Sequence, residues 1–344
     1  MITTADNLLF FKAVSMFECG PNHDMDEVVD HPDGDGDANS VINNQLTLVS
    51  SDPEHWAESH CEVSEMLADY NPVGVKDDTP QVLRLFADKL PLRGQLVLLS
   101  EIMRYRHNPV QLRQVRDFLV QAILIPFKTH SKRRSEDDIV SSSSGTDGPD
   151  SLLEKLESYV DDSKLRRVCV LRDGGQCVVT KYFNKDWLEE NFSGQMMPQG
   201  RISTLECVHI IPFLIGNFDE RKPMEALWRY FPDLKGKVGP DTINQTGNAL
   251  IMNSEVHGDF GDFDFGFEQQ YGSTTKYNIR WFGAWNPAIS LFKNYPKVVE
   301  FTSVDPRVAE LPDPIFLDVH CRVGEILNEF KLQRLSLEPT THAN

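Results

Sequence analysis

Two short apolar runs, one ending on a histidine and one running into a helix that carries another, constrain this chain more than anything else in it. Leu205-Glu206-Cys207-Val208-His209-Ile210-Ile211-Pro212 reads as a strand with a single His among apolar neighbours, closed by Pro. The second run starts at Ile243-Asn244-Gln245-Thr246-Gly247-Asn248 and continues as Ala249-Leu250-Ile251-Met252-Asn253-Ser254-Glu255-Val256-His257. It reads as a turn, a short strand, then an Asn/Ser-capped helix with His257 in its first turn. Upstream, Leu171-Arg172-Asp173-Gly174-Gly175-Gln176-Cys177-Val178-Val179-Thr180 reads as a turn followed by a β-branched strand. Strand, Asn, strand and helix in this order imply an α+β protein.

The same order suggests a chemistry. Phosphodiester hydrolysis needs a base to activate water and a cation to stabilise the charge that develops on the phosphate and the leaving oxygen. A neutral imidazole suits the base. A second His on a helix facing it suits the metal. An Asn between them can pin the loop that carries the base through side-chain hydrogen bonds to backbone.

These segments resemble the HNH endonuclease family. The relevant branch reads roughly C-V-x-T, then A-H-I-I-P, then N-x-L-x-L, then H-x-x-F, and the eight residues between Asn248 and His257 match its spacing. The resemblance extends to HNH-domain proteins common in fungi. In those, a Leu-Pro-Leu-Arg-Gly region (here 90–94) precedes the module, and a Pro-x-x-Leu-x-x-His helix follows (here Pro314, Leu317 and His320). It implies a ββα-metal core with flanking helices and an N-terminal helical region. It also implies metal-dependent hydrolysis of DNA, with His209 as general base, Asn248 orienting it and His257 binding the metal. Mg2+ or Mn2+ is the expected ion, with Zn2+ as the other candidate. Two positions depart from the pattern: Val208 stands where compact HNH enzymes put a metal-binding side chain, and Gly261 where the branch often has Asp. Glu206, Asp259 and Asp262 are the available substitutes, and the sequence does not choose among them. The alternative function is a catalytically degenerate HNH fold that binds nucleic acid or protein. The thirty-eight residues between His209 and Asn248 exceed a minimal hairpin; Leu227-Trp228-Arg229-Tyr230-Phe231 reads as an inserted helix packed on the core.

Composition matters through its distribution. The net charge of −18 is concentrated early: residues 1–80 carry 17 acids and 2 bases, whereas 81–134 carry 11 bases and 3 acids. Residues 1–78 therefore read as an acidic, largely disordered region, with Asp33-Gly34-Asp35-Gly36-Asp37 a solvated run rather than a calcium loop. Residues 79–130 read as three helices, starting at Thr79-Pro80 and again at Asn108-Pro109. Arg93, Arg104, Arg106, Arg113 and Arg116 form either a phosphate-facing platform or a merely solvated face. Residues 131–150, with Lys132-Arg133-Arg134, acids and serines, read as a linker. Residues 151–335 read as the nuclease-like domain, opening on a short helix at Leu152-Leu153-Leu156 and ending in a helix from Pro314.

Other residues have plainer readings. Six cysteines without a disulfide-like framework point to a reduced, intracellular setting, nuclear or cytoplasmic given the weak basic cluster. Nothing reads as a signal peptide or a membrane span. Cys169, Cys177, Cys207 and His209 hold no Cys-x-x-Cys spacing, so Cys177 reads as a buried strand residue rather than a zinc ligand. His320 and the run Phe260, Phe263, Phe265, Phe267 read as core rather than as ligand or base-stacking platform.

Overall fold

The structure is a computed structural model that describes residues 53–129 except 75, and 163–337 except 194–195, 197, 213–221, 240, 284–292 and 308. The Asp/Gly run, the basic cluster, the linker and the Leu152–Leu156 helix lie outside the described residues. The chain divides into two compact units, 1–117 and 118–344.

In the first unit, helices α1 (Pro53–Ala68), α2 (Thr79–Lys89) and α3 (Leu92–Arg104) pack on one another. Helix α1 corrects the expectation of disorder up to residue 78. Its Trp56, Val63 and Leu67 recur at helical spacing and are buried, so acidic composition concealed an apolar stripe. Buried Val82, Leu83, Phe86, Leu98 and Ile102 supply the facing core, each worth about 1.5–3 kcal/mol. The start of α2 also differs in detail. The Thr79 hydroxyl donates to Asp77 at 2.6 Å, and no side-chain cap hydrogen bond closes the helix. Helix α4 (Pro109–Leu119) does begin at a side-chain cap, with Asn108 Oδ1 accepting from the Gln111 amide at 3.2 Å. Arg116 pairs with Asp78 and Asp117, so it is a structural residue, whereas Arg93, Arg104, Arg106 and Arg113 are exposed.

In the second unit the helical run continues as a π segment (Val120–Leu124) and α5 (Ile125–Thr129). Leu119, Ala122, Ile123, Leu124 and Phe127 are buried there. A helix over residues 163–172 (α6) follows. Next come β1 (Phe183–Asn184), α7 (Lys185–Phe192), β2 (Ile202–Ser203) and β3 (Leu205–His209). The expected strand at Cys177–Thr180 is instead a tight turn, closed by Lys181 N donating to Cys177 O at 3.0 Å, with Lys181 at φ 59°. β-branched propensity gives way there because Cys177 and Val178 are buried and the Val178 amide bonds Ile251 O at 2.9 Å. Helix α8 (Lys222–Tyr230) is the inserted helix expected from sequence, with Leu227, Tyr230 and the following Phe231 buried. Strand β4 (Ala249–Asn253) pairs antiparallel with β3 and runs straight into α9 (Ser254–Gly261).

A three-stranded antiparallel sheet, β5 (Phe265–Gln269), β6 (Lys276–Trp281) and β7 (Val298–Glu300), completes the unit. The terminal helix α10 (Pro314–Leu337) lies on β5. Close approach is possible because Gly324 has no side chain: a Cβ there would sit 2.5 Å from the Phe282 ring. Phe260, Phe263, Phe265 and Phe267 are buried, as core. No described helix is long and apolar enough to cross a membrane.

His320, on α10, is fully enclosed, stacked between Phe260 at 3.8 Å and Phe263 at 4.5 Å. Burial pulls its pKa down to about 3, against a hydrogen bond to the Phe260 backbone that pushes it up. The folded ring thus refuses a proton that the unfolded chain accepts below its ordinary value of 6.5. Stability is therefore lost as pH falls from about 6.5 towards 3, by up to ~1.4 kcal/mol per unit. Urea titrations at pH 7 and pH 5 should show wild type losing about 1–2 kcal/mol more than His320→Phe over that interval. Parallel losses would mean the ring does not drive the effect.

Candidate active site

The site is built on the β3–β4 hairpin and α9. The register pairs Leu205 with Asn253, Glu206 with Met252, Cys207 with Ile251, Val208 with Leu250 and His209 with Ala249. Every residue of β4 is buried, so this strand is the fixed spine on which β3 and α9 are hung. His209 is the last residue of β3 and faces the first residue of β4, next to Asn248. His257 lies one helical turn beyond the other end of β4, beside the first half of β3.

Asn248 is fully buried at 0% exposure, and its amide is used completely. Oδ1 accepts from the Ile211 amide at 2.8 Å, and Nδ2 donates to Ile211 O and Ile243 O, both at 3.0 Å. The Ile210 amide bonds the Asn248 carbonyl at 2.9 Å. The segment leaving His209 is therefore stapled to the turn preceding β4, by the side-chain-to-backbone device expected of this residue. His209 and Asn244 are both half-buried, and His209 Nε2 meets Asn244 Oδ1 at 2.9 Å.

His257 is held by a different partner. Its Nδ1 donates to Glu206 Oε2, and the other carboxylate oxygen, Oε1, accepts from the Ser254 hydroxyl. Successive strand residues leave on opposite faces, so Glu206 and Val208 share the face that meets His257, and His209 has the opposite parity. Three residues of strand, roughly 10 Å, separate Glu206 from His209 along β3.

The three carboxylates left open by sequence have different surroundings. Asp259 is committed to Lys293, at 2.5 and 2.7 Å, and to the Tyr295 hydroxyl at 2.8 Å. Burial and then the Asp259 hydrogen bond push the Tyr295 phenol far above its ordinary range, so it stays a donor. Asp262 is exposed past the end of α9. Glu206 alone of the three lies against His257. Among the described residues, no group of three or more His, Cys, Asp or Glu side chains converges as a metal-ligand set.

The cysteines of the Cys3His alternative have partners of their own. Cys177 Sγ donates to Asn253 Oδ1 at 3.2 Å, which also accepts from the Thr180 hydroxyl at 3.1 Å. Asn253 is thus drawn away from capping α9, contrary to expectation, and Ser254 is turned to Glu206. Cys169, buried on α6, is hydrogen-bonded to Cys207, which lowers its thiol pKa despite burial, with Arg172 adding to the effect.

Two residues escaped the sequence reading. Arg172 is 1% exposed and spends its whole guanidinium on Asp173, at 2.7 and 2.9 Å, and on three carbonyls. Those are Thr246 O at 2.8 Å, Ala249 O at 2.9 Å and Glu310 O at 3.3 Å. It therefore braces both sides of Asn248 from behind. Asp313 adds to the brace, its amide bonding Gly247 O at 2.8 Å. The second is Asn244, which in sequence is one more polar residue of a turn.

Chemically, the site offers an imidazole on a pinned loop and a second imidazole oriented by a carboxylate. The chain matches no curated protein and no solved structure. Residues 177–268, which include His209, Asn244, Asn248 and His257, match the family model for HNH endonucleases. This stretch of the chain is thus similar to the HNH endonucleases, a similarity that points towards chemistry on nucleic acid.

Proposed function

We propose that the module is a divalent-metal-dependent endonuclease that hydrolyses DNA phosphodiester bonds, built on a ββα-metal core formed by β3, β4 and α9. The Asn248 amide carries this reading, because it spends three buried hydrogen bonds on fixing the path of the chain around His209. A solvated or merely packed histidine needs no such bracing. His209 is the general base, taking the proton of the attacking water, a task suited to an imidazole that titrates at roughly 6.5 in water. Asn248 holds the base's loop.

The donor chemistry at His257 fits a metal. Metal-binding imidazoles regularly donate their other ring N–H to a carboxylate, and Glu206 stands in that place on Nδ1. His257 would then bind through Nε2, with Glu206 as the orienting carboxylate. Mg2+ or Mn2+ is the favoured ion, since both accept water and phosphate oxygens as remaining ligands. When bound, the ion would supply positive charge against the phosphate and leaving oxygen.

Supercoiled plasmid incubated with the full chain tests the proposal. Wild type should nick it with Mg2+ or Mn2+, and EDTA or His209→Ala should abolish nicking. Calorimetry should show Mn2+ binding that is lost in His257→Ala. Wild type and His209→Ala equally inert with every metal would remove the enzyme reading. A second reading is favoured by buried Val208 at the usual ligand position and by the missing third ligand among the described residues. It is a degenerate fold that binds nucleic acid or protein, with no saturable Mn2+ binding and DNA affinity indifferent to EDTA.

A further inference from the structure

We propose that Asn244 is the positioning residue of His209: its side-chain oxygen fixes which ring nitrogen carries the proton and how the ring is turned. The proposal rests on the nuclease reading above for its catalytic consequence. A carboxamide oxygen only accepts, so the Nε2···Oδ1 contact at 2.9 Å requires the hydrogen on Nε2. In a neutral imidazole the other nitrogen then owns the lone pair, so the proton lifted from water arrives on Nδ1. Once it has arrived, both nitrogens are donors, and the Asn244 oxygen stabilises the resulting imidazolium through Nε2–H.

The contact is built into the fold. Asn248 Nδ2 holds Ile243 O, the carbonyl immediately before Asn244, and Asn248 also holds both backbone groups of Ile211, two residues past His209. One buried amide thus sets the two partners against each other from both sides. The Ile243 amide, bonded to Gly239 O at 2.9 Å, fixes the turn further back. Both His209 and Asn244 are half-exposed.

Asn244→Leu, which keeps the shape and loses the acceptor, and Asn244→Asp, which restores an acceptor oxygen, test this in the full chain. Ring 15N NMR of His209 should show Nε2 protonated in wild type and in Asn244→Asp, and a mixed tautomer in Asn244→Leu. In plasmid cleavage, kcat of Asn244→Leu should fall about 10- to 100-fold, within what a general base contributes, with KM inside twofold. Asn244→Asp should recover most of that loss. An unchanged tautomer in Asn244→Leu overturns the proposal, and so does an unchanged kcat. If wild type cuts nothing with any metal, the ring spectrum still reads the contact, so the nuclease reading can fail while the contact is upheld or refuted by itself.

Discussion

Arg172→Met is expected to destabilise the second unit by about 3–5 kcal/mol in urea denaturation, the range for stripping one partner from a buried ion pair. Methionine fills similar volume, so a cavity is not the cause. What it leaves behind is the Asp173 carboxylate, 6% exposed at its side chain, together with the Ala249 and Glu310 carbonyls and a Thr246 carbonyl reduced to its bond from the Ala249 amide. Asp173 already has its pKa raised, chiefly by burial, and the guanidinium, then the Lys181 charge and the Ile251 backbone, oppose that rise. Arg172→Lys should fall between wild type and Met, because one ammonium cannot span a two-pronged carboxylate and three separated carbonyls. Arg172→Met within about 1 kcal/mol of wild type would show that water enters and replaces the guanidinium.

Asn248→Asp is nearly isosteric and should still cost about 3 kcal/mol, because it turns a donor into an acceptor facing Ile211 O and Ile243 O. Its pH dependence separates this cause from a general packing defect. A carboxyl pressed against two carbonyls has its folded pKa raised, so the variant should regain stability relative to wild type as pH falls towards 5. Protonation restores one of the two lost donors. Asn248→Ala should be destabilised by a similar amount with no such recovery. Both should lose nicking activity even at temperatures where they remain folded, since the segment leaving His209 is no longer held. A destabilised Asn248→Asp with full nicking activity would disconnect the staple from the base.

The parts of this site that depend on spacing were legible without coordinates. His209 ending one strand, Asn248 just before the next and His257 following it in a helix are order along the chain; that His209 leaves β3 on the opposite face from Glu206 and His257 was not. Residues whose role lies in a partner were not legible. Glu206, Asp259 and Asp262 are equivalent on paper, and only the side chains they meet distinguish them. Arg172 beside Asp173 looks like an ordinary surface pair until its burial is known. Asn244 was readable only as a turn former, although its place four residues before Asn248 was a usable clue. Elsewhere, local propensity misled twice, in physically different ways. Acidity around α1 outweighed the sparse stripe of Trp56, Val63 and Leu67, and two adjacent valines suggested a strand where the chain makes a buried turn held to β4 through the Val178 amide.

The brace behind Asn248 draws on Glu310 and Asp313, which are translated long after the hairpin they support. During synthesis the β3–β4 hairpin therefore emerges, and waits, without its rear supports. A fragment trimmed to residues 177–268 would lack Arg172 on one side and this late segment on the other. The boundaries of the family match are thus narrower than the stretch of polypeptide that must be present for the loop after His209 to set.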